Sequence, residues 1–261
     1  MKFNWQFILF LVVDLFLGAY LVAAFTVFNK TDELEKTCQR VDIRIEDKDA
    51  TGFISEKEIV DRLKKAGLYP QGKDMNAVQV RNIEDNLQRT PFVKTAECYK
   101  AQDGSVRISL TQRMPKLRIK AANGDDYYLD DKNSIMPNSQ YTSDLIVATG
   151  HITRQMAQTY VAPLANTITQ LPFWEDQIEQ INILPDKSVE LVPRVGDHII
   201  LLGKMPESGN KKEREEQIAE FVKKKLDRLE IFYCHGLSQA GWNKYRLINL
   251  EFDNQIICKK K

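Results

Sequence analysis

One stretch of the chain carries oxygen side chains in a metal-binding register. Asp47, Asp49, Thr51, Ser55 and Glu58 fall at positions one, three, five, nine and twelve of a calcium loop, with Gly52 at six and apolar Ile54 at eight. Such a loop would serve a calcium-responsive sensor. An EF-hand also needs an entering helix, and Val41–Glu46 alternates like a strand instead. The same residues have a structural use: Gly52 makes a turn, and Ser55 with Glu58 forms a capping box for a following helix. Catalytic patterns are missing. There is no G-x-S-x-G, no H-E-x-x-H and no phosphate-cradling glycine loop. His151, His198 and His235 lie far apart, and Cys38, Cys98, Cys234 and Cys258 form no C-x-x-C pair, so no zinc spacing exists. The acid pairs Asp125-Asp126 and Asp130-Asp131 read as turn residues. Trp174 and Trp242 read as core anchors or packing lids. The expectation is a protein that is not an enzyme and takes no cofactor.

A binding surface is the remaining chemistry. Tyr245–Phe252, an Asp253-Asn254 turn and Gln255–Cys258 form an expected terminal hairpin, followed only by Lys259-Lys260-Lys261. At a sheet edge, the unpaired backbone of Gln255, Ile256 and Ile257 would accept a strand from another protein. The alternative is an edge that the lysines simply protect. The 37 basic and 36 acidic residues nearly cancel, which leaves no electrostatic footprint for nucleic acid. Lys211-Lys212 and Lys223-Lys224-Lys225, interrupted by glutamates, read as the solvated face of a helix. The four cysteines permit three connectivities, among them Cys38 with Cys98 and Cys234 with Cys258, and free thiols are equally open.

The elements that must position this surface are α+β in class. A strand over Val41–Ile45 is followed by a helix capped by Ser55, carrying Ile59, Val60, Leu63 and Ala66 and stopped by Gly67. A second helix is expected from Asn76, burying Val80, Ile83 and Leu87 and ending before Pro91. Strands near Val93–Lys100 and over Val106, Ile108 and Leu110 flank a turn at Asp103-Gly104. After Pro115 strands dominate, at Asp126–Asp130, Ile135–Met136, Leu145–Thr149, Ile178–Leu184, Ser188–Val192 and His198–Leu202. Two helical stretches interrupt them. Thr153 to Leu171 has a kink or new start at Pro163, and Lys212 to Tyr233 buries Ile218, Phe221, Val222, Leu226, Leu229 and Phe232.

Ahead of all this, Phe7 to Phe28 runs for 22 residues with one charge, Asp14. At about 1.5 Å per residue that covers roughly 33 Å, enough for a bilayer core. The run is longer than a signal peptide's apolar region, which favours an uncleaved anchor over cleavage after Val22-Ala23-Ala24. Lys2 places the N-terminus in the cytoplasm by the positive-inside rule. Asp14 either snorkels or sits protonated, or hydrogen-bonds a partner's transmembrane helix. The expected organisation is a cytoplasmic tail at 1–6, an anchor at 7–28, a linker at 29–37, a small α/β domain at 38–115 and a β domain at 116–261.

This layout resembles the bacterial cell-division family FtsQ/DivIB, in a Bacteroidetes-like form. Thr90-Pro91-Phe92-Val93-Lys94 with Val106-Arg107-Ile108-Ser109-Leu110-Thr111-Gln112-Arg113-Met114-Pro115 is similar to that family's "P-x-V … L-x-I-x-V-x-E-R-x-P" segment, with Gln112 in the acidic place. Tyr127-Tyr128-Leu129-Asp130 and Met136-Pro137 resemble "Y-x-I-D … G-x-x-x-P", with Asn133 where glycine is usual. The resemblance implies a signal anchor, a POTRA domain of β-α-α-β-β order and a β domain with a long helix. It implies a non-catalytic inner-membrane scaffold at the division septum, its C-terminal part periplasmic. Such a scaffold binds FtsB and FtsL and connects upstream FtsK-type proteins to septal peptidoglycan synthases. By position, the partner-binding residues it implies are Ile248, Leu250 and Phe252 on the terminal strand and Lys204 after Leu202-Gly203. The family's aromatic partner position near the C-terminus has no counterpart, since Lys259 and Lys260 stand there.

Overall fold

A computed structural model describes residues 5–25, 37–46, 53–139 and 144–261. The chain falls into two compact units, one of Met1–Asp49 and Ile54–Gln112, the other of Ala50–Phe53 and Arg113–Lys261.

In the first unit, a helix over Trp5–Ala23 comes first, with 19 residues. Its rise is about 28 Å. Among the described residues no helix is long and apolar enough to cross a membrane, and Thr26–Phe28 of the expected anchor lie outside the described residues. Strands β1 (Arg40–Ile45), β2 (Val93–Lys100) and β3 (Ser105–Gln112) then make a three-stranded sheet in the order β1-β3-β2. β1 runs parallel to β3 and β2 antiparallel to it. A parallel pair needs a crossover, and the helices Glu56–Lys65 and Val80–Gln88 supply it. Ile59, Leu63, Ile83 and Leu87 pack on Val93, Ala96, Val106, Ile108 and Leu110. The second helix starts at Val80 rather than Asn76. Asp74 accepts the Asn76 amide at 2.8 Å and its carbonyl takes the Ala77 amide, so a side-chain turn occupies the expected first helical turn. Cys38 and Cys98 are buried free thiols. Burial, reinforced by Glu84, pushes the Cys98 thiol up to about 12.

The second unit is a nine-stranded sheet in the order β12-β11-β10-β9-β8-β7-β4-β5-β6. Its strands are β4 (Pro115–Ala121), β5 (Asp126–Asp130), β6 (Ile135–Pro137), β7 (Val147–Gly150), β8 (Ile178–Ile183), β9 (Ser188–Pro193), β10 (Ile199–Lys204), β11 (Tyr245–Asn249) and β12 (Ile257–Lys260). Two of its parallel pairs, β7 with β8 and β10 with β11, are consecutive strands joined through helices. The first crossover runs through Arg154–Met156, a π turn at Ala157–Val161 and Ala162–Thr169, where Pro163 donates no amide and the Thr159 carbonyl four residues before it accepts from Arg214 at 3.1 Å. The second is the long helix Lys211–Phe232, capped by Asn210. Leu164 and Ile168 of the first join Ile218, Val222, Leu226 and Leu229 of the second over Ile119, Ala148, Ile181, Leu191, Ile200 and Ile248. Lys225 lies in that buried stripe, only 6% exposed. Charge composition puts this residue on the solvated face; the position is instead a core one that happens to hold a lysine.

Candidate partner-binding edge

β12 is the outermost strand of the nine. It pairs antiparallel with β11 alone, in the register Ile248↔Cys258 and Asn249↔Ile257. Among the described residues no strand lies on its other side. The Lys261 amide donates to the Lys244 carbonyl at 3.3 Å, so that amide faces β11. Because antiparallel strands alternate their bonding residues, the amides and carbonyls of Cys258 and Lys260 face outward. Ile257 and Lys259 are exposed, while Cys258 is half-buried against the core.

The connection into β12 is longer than a two-residue turn. β11 ends at Asn249, and β12 starts only at Ile257, so Gln255 and Ile256 belong to the loop and the strand runs on into the lysines. The reason is at Leu250, whose side chain is fully buried and whose amide is taken by the Leu201 carbonyl at 2.8 Å. Beyond it the backbone carbonyls are capped from the long helix. Lys225 Nζ donates to the carbonyls of Leu250 at 2.7 Å and Glu251 at 3.0 Å. Arg228 donates to those of Phe252 at 2.9 Å and Leu250 at 3.0 Å. Lys224 pairs with Asp253 at 3.1 Å. Asn254 then reverses the chain with φ of 60°. Burial, with Arg228 nearby, pulls the Lys225 ammonium below its ordinary range.

The far end of β12 is tied down as well. Lys261 pairs with Asp197 at 2.9 Å, next to His198. His198 is buried, its Nε2 2.6 Å from the Tyr233 hydroxyl and its Nδ1 without a partner among the described residues. Tyr233 sits edge-on to both Trp174 and Trp242. Gly196 has φ of 89°, and a Cβ there would lie 2.8 Å from His198 Nδ1. Burial lowers the His198 pKa below its usual value, against the opposing pull of Asp197.

Comparison with known families settles the kinship of this architecture. A family described as "FtsQ/DivIB, C-terminal related" matches residues 114–259, and a POTRA-like domain matches residues 36–111. The chain belongs to the FtsQ/DivIB family. No curated protein matches it. FtsQ/DivIB is a non-enzymatic scaffold family of the cell-division machinery. Two residues of the FtsQ/DivIB-like segments meet in space: Arg113 donates to Asp130 through Nη2 at 2.7 Å and Nε at 2.9 Å. The other oxygen of Asp130 accepts the amides of Lys132 and Ser134, so one buried carboxylate fixes both the turn and the arginine.

The residues implied by the FtsQ/DivIB resemblance separate into two groups. Ile248 and Leu250 are core side chains with no exposed surface, and β11 is paired on both flanks. Their side chains lie in the core beneath the edge. Phe252, Gln255 and Ile257 are exposed. Ile256 is half-buried and lines a groove with Arg228, Ile231, Phe232 and His235. Lys204 is exposed at the end of β10, one residue beyond Gly203, which packs against Glu251. Asp14 is exposed on the N-terminal helix. Of the calcium-loop residues, Asp47, Asp49 and Thr51 lie outside the described residues. Glu58 accepts the Ser55 amide at 2.8 Å while Ser55 Oγ accepts the Glu58 amide, as the capping reading requires. Sequence reasoning missed Lys225 and Arg228. Lys225 stands seven residues after Ile218 and four before Leu229, squarely on the apolar stripe, and that spacing was the available signal.

Proposed function

We propose that this FtsQ/DivIB chain is a membrane-anchored scaffold of the bacterial division machinery that captures FtsB- and FtsL-type proteins by strand addition to β12. It thereby links upstream FtsK-type proteins to septal peptidoglycan synthesis. The observation that carries the reading is the position of β12 at the end of the sheet, with one flank of its backbone unpaired, the loop ahead of it held at Leu250 and its far end tied through Lys261. Anchoring rests on the N-terminal helix. Val12, Val13, Leu15, Phe16, Leu17, Tyr20, Leu21 and Val22 are all exposed, so apolar side chains point in every direction and need a lipid or protein cover. We read the apolar run from Phe7 to Phe28, which extends beyond the described helix, as the segment that crosses the inner membrane, with the N-terminus in the cytoplasm and the two folded units in the periplasm.

Lys260→Pro tests the capture step. Proline removes an outward amide of β12 without deleting a bond to β11. Tagged full-length Lys260→Pro should lose division partners in pull-downs from solubilised membranes while keeping the wild-type urea midpoint. Normal partner recovery with this variant would refute strand addition at this edge.

A further inference from the structure

The side chains along β12 have a polarity of their own. Ile257 and Cys258 form an apolar half, and Lys259 and Lys260 a basic half. Ile257 and Lys259 face one side of the sheet and Cys258 and Lys260 the other, so each face presents one apolar and one basic position. On the Cys258 side the apolar surface continues into the groove of Ile231, Phe232 and Ile256.

The charges of the second half are uncompensated. Lys261 is paired with Asp197, and Asp253 in the adjoining loop is taken by Lys224. Among the described residues no carboxylate lies within ion-pair distance of Lys259, Lys260 or the exposed Arg246 on β11. In a chain whose bases and acids otherwise nearly cancel, this edge is a local positive field. A second copy of β12 is a poor occupant: parallel pairing would set lysines beside lysines, antiparallel pairing would set them beside Ile257 and Cys258, and neither supplies an acid. An incoming strand with acids at those positions forms cross-strand ion pairs on both faces at once.

We propose that β12 selects a partner strand with two apolar residues beside Ile257 and Cys258 and two acidic residues beside Lys259 and Lys260. This rests on the reading of β12 as a capturing edge, and it specifies the chemistry of what is captured. An antiparallel partner reads acid-acid-apolar-apolar from its N-terminus, and a parallel partner the reverse. The lysines thus act as a filter, since they disfavour neutral and basic strands that the bare backbone alone would accept.

The test uses the full-length chain in detergent and short labelled peptides flanked by threonines. The peptides carry Glu-Glu-Val-Val, Val-Val-Glu-Glu, or the same two orders with glutamine or lysine replacing glutamate. Fluorescence anisotropy should show one glutamate order binding about fivefold tighter than its glutamine counterpart, an advantage that shrinks toward unity at about 1 M salt. The charge-reversed Lys259→Glu/Lys260→Glu chain should instead prefer the lysine peptide. Equal binding of glutamate and glutamine peptides would leave the capturing edge standing and overturn charge selection. Binding only to Lys259→Thr/Lys260→Thr would mean the lysines guard the edge, and would also overturn the proposal. Binding of no peptide to any of the three chains would overturn the edge reading together with it.

Discussion

The Lys225 ammonium donates to the Leu250 carbonyl at 2.7 Å, from a helix position where every neighbour on the stripe is apolar. This contact lets β11 turn into the core and still release a well-placed strand seven residues later. Replacing Lys225 with methionine keeps the volume and removes the donors, leaving the Glu251 carbonyl without its partner. Lys225→Met should lower stability by about 1–2 kcal/mol, read from urea unfolding. It should also speed amide exchange in Glu251–Ile256.

Ile248 and Phe252 are expected to behave oppositely. Ile248 has no exposed surface, and Ile248→Ala should cost about 2–4 kcal/mol of stability. Phe252 is 47% exposed in the loop. Phe252→Ala should stay within about 0.5 kcal/mol of wild type in unfolding yet weaken partner recovery from membranes.

His198 sets a pH dependence. Its folded-state pKa lies below the unfolded value of about 6.5, so the unfolded chain binds the proton more readily. The stabilisation is complete above that value and is lost as pH falls through about 6.5 toward the folded pKa. Urea midpoints between pH 7 and pH 5 should fall with a slope no steeper than about 1.4 kcal/mol per pH unit from this group. His198→Gln should flatten that part of the profile.

Much of the architecture was legible because it follows from periodicity. The Ser55–Glu58 box, the alternation of β3 and the apolar stripe of the long helix each depend on neighbours a few residues away. What escaped depends on contacts far along the chain. The β11–β12 connection is set by Lys225 and Arg228, more than twenty residues upstream, so Asp253-Asn254 alone suggested too tight a turn. β4 carries the alternation of Leu117, Ile119 and Ala121, but it opens on Pro115, a residue that marks a boundary as readily as a strand start. The motif residues Arg113 and Asp130 were visible singly, and only the folded sheet shows that they form one ion pair.

Amide hydrogen exchange on the full-length chain, with and without its captured division partner, tests strand addition most directly. The amides of Cys258 and Lys260 should exchange rapidly in the free chain and become protected in the complex, while Lys261, already bonded to Lys244, changes little. A stable complex in which the Cys258 and Lys260 amides exchange as fast as before would contradict the account.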